Sequence, residues 1–297
     1  MAEIVPVAED PFLCQYKGFT FVKDAFTPED IDLLEKFEVR GSDIFQVAYP
    51  KSGTIWMQQI VSLICNENYR NGSENTTNAV RSPWIESNFS NQDYSKRPSP
   101  RLFTSHLPYY LVPKSLRNKR GKVIYVARNP KDVMASFYHF EHMITLAQES
   151  PDFEHFLKKY LAGHVFAGTW FDHVCGWYSN REDFNFLFIT YEELILDLRS
   201  AVIKICQFLG KQLDDHELEK VVEQSTFKSM KVDPKTNAMP EDFFKKDKEN
   251  FFRKGTIGDW KNIMTVAQSE MIDKIYQEKM GDLPIKFVFD IPRENQA

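Results

Sequence analysis

The most constraining feature of this chain is an apolar run that stops abruptly. Ile44-Phe-Gln-Val-Ala-Tyr49 is followed by Pro50-Lys-Ser-Gly53, then by Thr54 and an apolar-periodic stretch from Ile55 to Cys65. The run reads as a buried strand. Pro50 cannot continue a ladder, and Gly53 admits a tight turn. The stretch after Thr54 predicts a helix. Such a strand–loop–helix unit aims backbone N–H groups and the positive end of a helix dipole at one point, which makes an anion site. Gly53 lets the backbone approach closely, and Lys51 adds a full charge. A Ser-Gly pair alone equally describes a structural turn. The loop is not a Walker loop, because the glycine spacing of that motif is missing.

The same alternation continues along the chain. Arg101-Leu-Phe-Thr-Ser105, Lys122-Val-Ile-Tyr-Val-Ala127 and Phe186-Leu-Phe-Ile-Thr190 predict three more short strands. Helical patterns cover 132–147, 153–178, 191–209, 217–224 and 265–280, with Gly210 as a C-cap. Residues 66–100 are rich in Asn, Ser and Pro and are expected to be mostly loop. Residues 230–255 are Lys-rich with few periodic apolar positions. Strands alternating with helices imply an α/β fold with a central parallel sheet flanked by helices. Ligands of such sheets bind at the carboxyl ends of the strands. No internal repeat or linker is visible, so one domain over residues 1–297 is expected, with its core at 16–289.

Composition removes several function classes. The chain has 297 residues, of which 42% are hydrophobic, enough for a real core. A net charge of −5 argues against nucleic acid or an acidic membrane as partner, so any basic site is local. Met1 to Asp10 has no basic n-region and no long apolar run, so it does not read as a signal peptide. No stretch reaches the roughly 20 apolar residues of a membrane helix. A cytoplasmic location is expected. Cys14, Cys65, Cys175 and Cys206 contain no Cys-x-x-Cys pair and lie among apolar neighbours. They read as reduced core thiols rather than disulfides or metal ligands. Glycosylation sequons at Asn71, Asn75 and Asn88 read as chance matches in a polar loop. Aromatic content of 14%, with 25 Phe, fits an aromatic core and equally an apolar pocket for flat ligands.

Two further clusters fall just after predicted strands or in the basic region. Arg128 ends a strand, and Ser136 lies about two turns into the next helix. A guanidinium and a hydroxyl there could hold a phosphate, or Arg128 could pair with Asp132. Arg253-Lys-Gly-Thr256, followed by Gly258-Asp-Trp260, suits a loop closing on a phosphate or a solvated basic loop. His106 follows the strand end Phe103-Thr-Ser105. By itself it reads as a loop-capping histidine before Leu-Pro.

Tyr49-Pro-Lys-Ser-Gly-Thr-Ile-Trp56, Tyr125-Val-Ala-Arg-Asn-Pro-Lys-Asp-Val133 and Arg253-Lys-Gly-Thr-Ile-Gly-Asp-Trp260 together resemble the three signature segments of the cytosolic sulfotransferases, in order and spacing. The likeness runs over residues 16–289. It implies 3′-phosphoadenosine 5′-phosphosulfate (PAPS) as donor, adenosine 3′,5′-bisphosphate as product, and no metal. Lys51, Ser52, Gly53, Thr54, Ile55 and Trp56 would wrap the 5′-phosphosulfate. Arg128 and Ser136 would hold the 3′-phosphate with Arg253, Lys254 and Gly255, and Phe252 belongs to the same donor loop. Tyr191, Ser225, Thr226, Phe227 and Met230 would lie near the adenine, with Trp56 and Phe227 sandwiching it. The resemblance makes His106 the catalytic base, with Lys51 and Ser136 as further catalytic groups. An ordinary imidazole pKa of about 6.5 suits a base at neutral pH. Phe21, Trp84, Phe140 and Phe243 would form the acceptor pocket beside His106, and the Lys-rich segment around Phe243 would be a mobile lid. Many relatives carry Lys two residues before the base. Thr104 stands there in this chain, which puts a greater load on Lys51.

The acceptor stays open at this stage. Residues 103–113 and 285–290 resemble the amine-sulfating branch, while the aromatic lining equally suits a phenol, alcohol, steroid or arylamine. Lys261-Asn-Ile-Met-Thr-Val-Ala-Gln-Ser-Glu270 matches the family's short dimerisation pattern and also reads as a helix start at Thr265. A homodimer through it would be weak, because ten residues make a small contact. The expected function is sulfuryl transfer to a hydroxyl or amine of a small, largely apolar acceptor. The alternative is a PAPS- or product-binding protein without catalysis. A nucleoside kinase is disfavoured by the missing Walker loop and metal carboxylates.

Overall fold

A computed structural model describes residues 5–7, 10–23, 25–87, 93–236, 243–245 and 251–291. The first three strands do not appear in the sequence reading. β1 (Val5–Pro6), β2 (Leu13–Tyr16) and β3 (Phe19–Val22) form a small antiparallel sheet. Lys17 (φ +50°) and Gly18 (φ +77°) make the two-residue turn between β2 and β3. Positive φ at both central positions matches the twist of a tight hairpin. Strands this short carry too little alternation to be recognised.

The main sheet has the four expected strands, all parallel: β4 (Ile44–Ala48), β5 (Leu102–Ser105), β6 (Lys122–Ala127) and β7 (Phe186–Thr190), in the order β5-β4-β6-β7. β4 stops at Ala48, one residue before the expected end. Alternate residues feed two cores. Phe45, Val47, Phe103, Val123 and Tyr125 face one. Ile44, Ala48, Leu102, Ile124 and Val126 face the other. Helices cover both faces, which is why these strands read as unbroken apolar runs.

The helices follow in chain order. α1 (Pro28–Leu34) comes after the hairpin, and α2 (Thr54–Cys65) leaves β4. α3 (Glu67–Arg70) and α4 (Asn78–Arg81) lie in the stretch expected to be mostly loop. α5 (Lys114–Arg117) precedes β6, and α6 (Pro130–Glu141) leaves it. α7 (Phe153–Leu161) and α8 (Trp170–Ser179) lead to β7. α9 (Tyr191–Leu196), α10 (Leu198–Leu209), α11 (Asp215–Gln224), α12 (Phe227–Val232) and α13 (Val266–Met280) complete the set.

Several helix boundaries differ from expectation, most for local reasons. The helix expected over 153–178 is two helices, because Gly163, Ala167 and Gly168 all have positive φ. The helix expected over 191–209 breaks at Asp197, whose carboxylate accepts from the Ser200 N–H and starts α10. α6 starts at Pro130 rather than Asp132, because Asn129 Oδ1 accepts from the Asp132 N–H and proline fits the first helical position. It ends at Glu141 instead of running to residue 147.

The four cysteines form no disulfide. Among the described residues, no cluster of His, Cys, Asp and Glu could hold a metal ion, and no helix is long and apolar enough to cross a membrane. The sequon at Asn88 lies outside the described residues. So do residues 1–4 and 8–9 of the N-terminal reading and residues 237–242 and 246–250 of the expected lid.

Candidate active site

Parallel register brings four chain segments to one edge. Val47 pairs with Ser105, Ala48 with Val126, and Ala127 with Thr190. The residues that follow these strand ends are therefore neighbours: the Pro50–Gly53 turn, His106, Arg128 and Tyr191. The chain passes from β4 to β5 on one side and then to β6 on the other, so β4 and β6 flank the point where the winding reverses. Crevices open there in such sheets. A cavity of about 1000 Å³ occupies this edge.

One wall is cationic and glycine-rich. Lys51 has φ +68° and Gly53 φ +103°. A Cβ on Gly53 would lie 2.8 Å from the Tyr191 ring, so the turn rests directly on that ring. No side chain caps the start of α2, unlike α9, α11 and α13, where capping boxes occupy the first N–H groups. The leading amides of α2 are thus available to an anion. Arg128 joins this loop to the third basic segment, donating to Lys51 O at 3.3 Å and to Thr256 O at 3.0 Å. It does not pair with Asp132. That carboxylate instead accepts from Asn129 Nδ2 and from the Gly258 and Trp260 N–H groups. Arg128 Nε has no hydrogen-bond partner among the described residues. A guanidinium held by carbonyls alone, without a carboxylate, is suited to a phosphate. Gly255 lies against Phe227 so closely that a Cβ would sit 2.2 Å from the ring. Trp56 Nε1 donates to Ser225 O at 2.7 Å, tying α2 to the turn before α12.

Lys51 Nζ lies 3.9 Å from the Phe140 ring centre and 4.0 Å from that of Phe251. Burial, together with repulsion from Arg128 and Arg253, pulls its pKa down to about 7. A bound anion would restore its charge. Arg253 and Lys254 behave differently, because both pair with Asp259 at 2.5 Å. Burial pushes the Asp259 carboxyl up, but hydrogen bonds from Lys254, Asn262 and Arg253 outweigh it and bring the pKa down to about 2.

His106 Nδ1 lies 2.5 Å from Ala48 O. A carbonyl can only accept, so Nδ1 carries the proton and Nε2 is the ring's acceptor. The His106 backbone N–H donates to Glu86 Oε1 at 2.7 Å. The Trp84 ring lies 4.5 Å from the imidazole and Phe166 packs edge-on at 5.6 Å. The pKa is not the ordinary imidazole value. Burial pushes it down to about 3, with the Ala48 hydrogen bond opposing. The free ring is therefore neutral throughout the working range. The opposite wall is aromatic: Phe21, Trp84, Phe140 and Phe243 all line the cavity, and the Phe140 and Phe243 rings lie 6.2 Å apart.

Comparison with known proteins follows this geometry. The family model of the sulfotransferase domain matches residues 41–284. The chain belongs to the sulfotransferase family. It is 46% identical over 287 residues to the amine sulfotransferase of Oryctolagus cuniculus, covering 95% of each chain. It is 43% identical over 274 residues to the 3-beta-hydroxysteroid sulfotransferase of Cavia porcellus, covering 91% of this chain and 95% of that one. A mouse sulfotransferase complexed with PAP superposes with a TM-score of 0.77 at 30% identity, covering 92% of this chain and 95% of that one. Retinol dehydratase, at 22% identity, shares the fold with a TM-score of 0.81 over 97% of this chain and 99% of that one.

In this sulfotransferase nearly every residue anticipated from sequence reaches the cavity, Ile55, Thr54, Ser136, Met230 and Phe252 included. Ser52, Ser225 and Thr226 do not line it. Ser52 and Ser225 are fully buried, and Thr226 Oγ1 caps α12 by accepting from the Ser229 N–H. Thr104 does not line it either. Its hydroxyl accepts from Gln58 Nε2 at 2.8 Å and donates to Ser82 O at 3.0 Å. Four acids that line the cavity were missed: Asp10, Glu86, Glu141 and Asp259. Asp259 was legible only as a charge close to Arg253 and Lys254 in sequence. Glu86, pushed up to about 7 by burial, carries no signal beyond following Trp84 by two residues.

Proposed function

We propose that this sulfotransferase moves the sulfuryl group of PAPS to a small, largely apolar acceptor, with the glycine-rich cationic wall holding the donor and the aromatic wall the acceptor. One observation supports this most: Lys51, the uncapped start of α2, Arg128 and His106 open onto the same cavity. The resemblance of the fold to a neighbour complexed with PAP agrees with the donor.

The acceptor's nucleophilic atom attacks sulfur in line, and the bond from sulfur to the donor's bridging oxygen breaks. Negative charge collects on that leaving oxygen, as in phosphoryl transfer. Lys51 stabilises it electrostatically. His106 Nε2 takes the acceptor's proton as the bond forms. A neutral imidazole of low basicity fits a late, partial proton transfer and stays unprotonated from acid to neutral pH. Arg128, Ser136, Arg253, Lys254 and Gly255 hold the 3′-phosphate, the two cations being shared with Asp259. Trp56 and Phe227 flank the adenine. We place amines first among the acceptors, because the amine sulfotransferase relative is 46% identical, with steroids and phenols next. The Lys261–Glu270 stretch, where Val266 is exposed, is the proposed weak dimer contact, and the cytoplasm the proposed location.

The test is incubation with sulfur-labelled PAPS and a panel of amines, phenols and steroids. Label transfer is expected, fastest to an amine. PAPS binding without transfer to any acceptor would replace this reading by nucleotide binding alone.

A further inference from the structure

A second, polar cavity of about 290 Å³ lies behind the donor wall. α12 separates the two. Phe227 and Met230 line the large cavity, while Ser229 and Asp233 line the small one. Gln59 on α2, Arg70 on α3 and Arg81 on α4 supply other parts of its wall. The proposed reaction uses none of Gln59, Arg70 and Arg81.

Arg81 is the anomaly. Four arginines of the described chain are buried: Arg70, Arg81, Arg101 and Arg128. Arg70 pairs with Glu217 at 2.6 Å and also donates to Leu63 O. Arg101 pairs with Asp43 at 2.5 Å. The other two form no ion pair with described residues. Arg128 faces the proposed donor phosphate. Arg81 is 5% exposed, reaches only Asn78 Oδ1 at 3.4 Å, and has no partner for Nε among the described residues. The Tyr69 ring covers its guanidinium at 4.4 Å. A buried guanidinium with no ion-pair partner, Asp233 and Glu74 acting on it only at longer range, is costly, and an anion reduces that cost.

We propose that this cavity is a second anion site, taking a small molecule that bears a phosphate or sulfate group, with Arg81 as its fork. Planar N–H donors match two oxygens of a tetrahedral oxyanion. Half-buried Lys235 adds a second charge at the rim, while Asp233 is the acid of the lining and limits how much negative charge is welcome. The Asn78 N–H donates to Lys235 O at 2.9 Å, so α4 and the segment after α12 already meet across the cavity. An anion there would brace the wall that carries Phe227.

The experiment titrates inorganic phosphate, and separately inorganic sulfate, into protein saturated with adenosine 3′,5′-bisphosphate, read by calorimetry. A saturable site is expected, and the tighter of the two anions identifies the ligand's head group. Arg81→Met should weaken it about tenfold or more, with bisphosphate affinity unchanged. Lys235→Glu, at the rim, should weaken it several-fold, and decides the matter if Arg81→Met does not fold. No saturable binding, or equal binding in the wild type and the variants, overturns the proposal. Failure of the bisphosphate to bind would sink the donor reading alone, since the difference between wild type and Arg81→Met is readable without it.

Discussion

The two halves of the large cavity are built by opposite means. The donor half is made of turns at strand ends, with glycines pressed onto rings and a guanidinium anchored to two carbonyls. Its geometry is set by the backbone. The half proposed for the acceptor is made of side chains: Phe21 from β3, Trp84 from the turn after α4, Phe140 from α6 and Phe243 from a distant segment; Phe140 meets Phe243, Trp84 meets His106, and Phe21 stacks on Phe26. His106 belongs to both, because its ring faces the aromatics while Nδ1 is tied to the end of β4. Charge recognition needs groups fixed in direction, since a misdirected donor or cation is lost. Apolar recognition needs only shape and dryness, so it tolerates walls assembled from scattered residues. Damage to the first half should therefore fall on one ligand, and damage to the second should change which acceptors are taken.

The sharpest way to break this comparison is at the shared residue. His106→Ala should lower kcat about 10³-fold while bisphosphate affinity stays within twofold, since general-base removal typically costs about 10² to 10⁴. Turnover near the wild-type level would remove His106 from the mechanism. A purely backbone change comes next. In Gly255→Ala the new Cβ meets Phe227 in a residue with φ +66°. Bisphosphate should bind about 30-fold more weakly, from roughly 1–2 kcal/mol of left-handed strain plus the displaced ring. Unchanged affinity would show that the donor wall is as adaptable as the acceptor wall.

The third test uses pH. Lys51 in the free protein titrates near 7 and must be charged when an anion sits beside it. Binding thus takes up a proton once pH exceeds 7. Bisphosphate affinity should fall about tenfold per pH unit above pH 7, while toward pH 6 the ligand's own phosphates, with a second pKa of about 6, begin to take up protons. Lys51→Met should flatten the curve, measurable by calorimetry between pH 6 and 9. The smallest effect belongs to the acceptor wall. Trp84→Ala should raise the acceptor KM about tenfold by removing apolar contact, with bisphosphate affinity unchanged. An equal loss of donor affinity would mean that the halves are not separable.

Legibility follows the same division. The four strands and the donor turn were readable because local chemistry dictates them: an apolar run, a proline, a glycine and an uncapped helix start lie within a dozen residues. The β2–β3 hairpin, the break at Gly163 to Gly168 and helices α3 and α4 were not, because each is too short for a periodic pattern. Lys51, Arg128 and Arg253 were found as separate cations, and their convergence became visible only through the resemblance and then the fold. Ser52, Ser225 and Thr226 were named through the resemblance; their side chains turn into the core or cap a helix instead of lining the cavity. The ordinary basicity expected of His106 failed, because burial is not a property of its neighbours in sequence.

By itself, then, the sequence determined the four strands of the parallel sheet, their ends to within a residue, and that a cation stands at the end of two of them, since these depend on hydrophobic pattern and turn chemistry along the chain. Only the tertiary structure decided which charges are neutralised and which are left for a ligand. Asp132 is used by Gly258 and Trp260, Asp259 by Arg253 and Lys254, and Glu217 by Arg70, so that among the described residues Arg128 and Arg81 form no ion pair. Those pairings join residues up to 147 positions apart. The physical reason is that electrostatic pairing depends on distance and burial in space, which the parallel register of β4, β6 and β7 and the packing of α2 against α11 impose and no local pattern records.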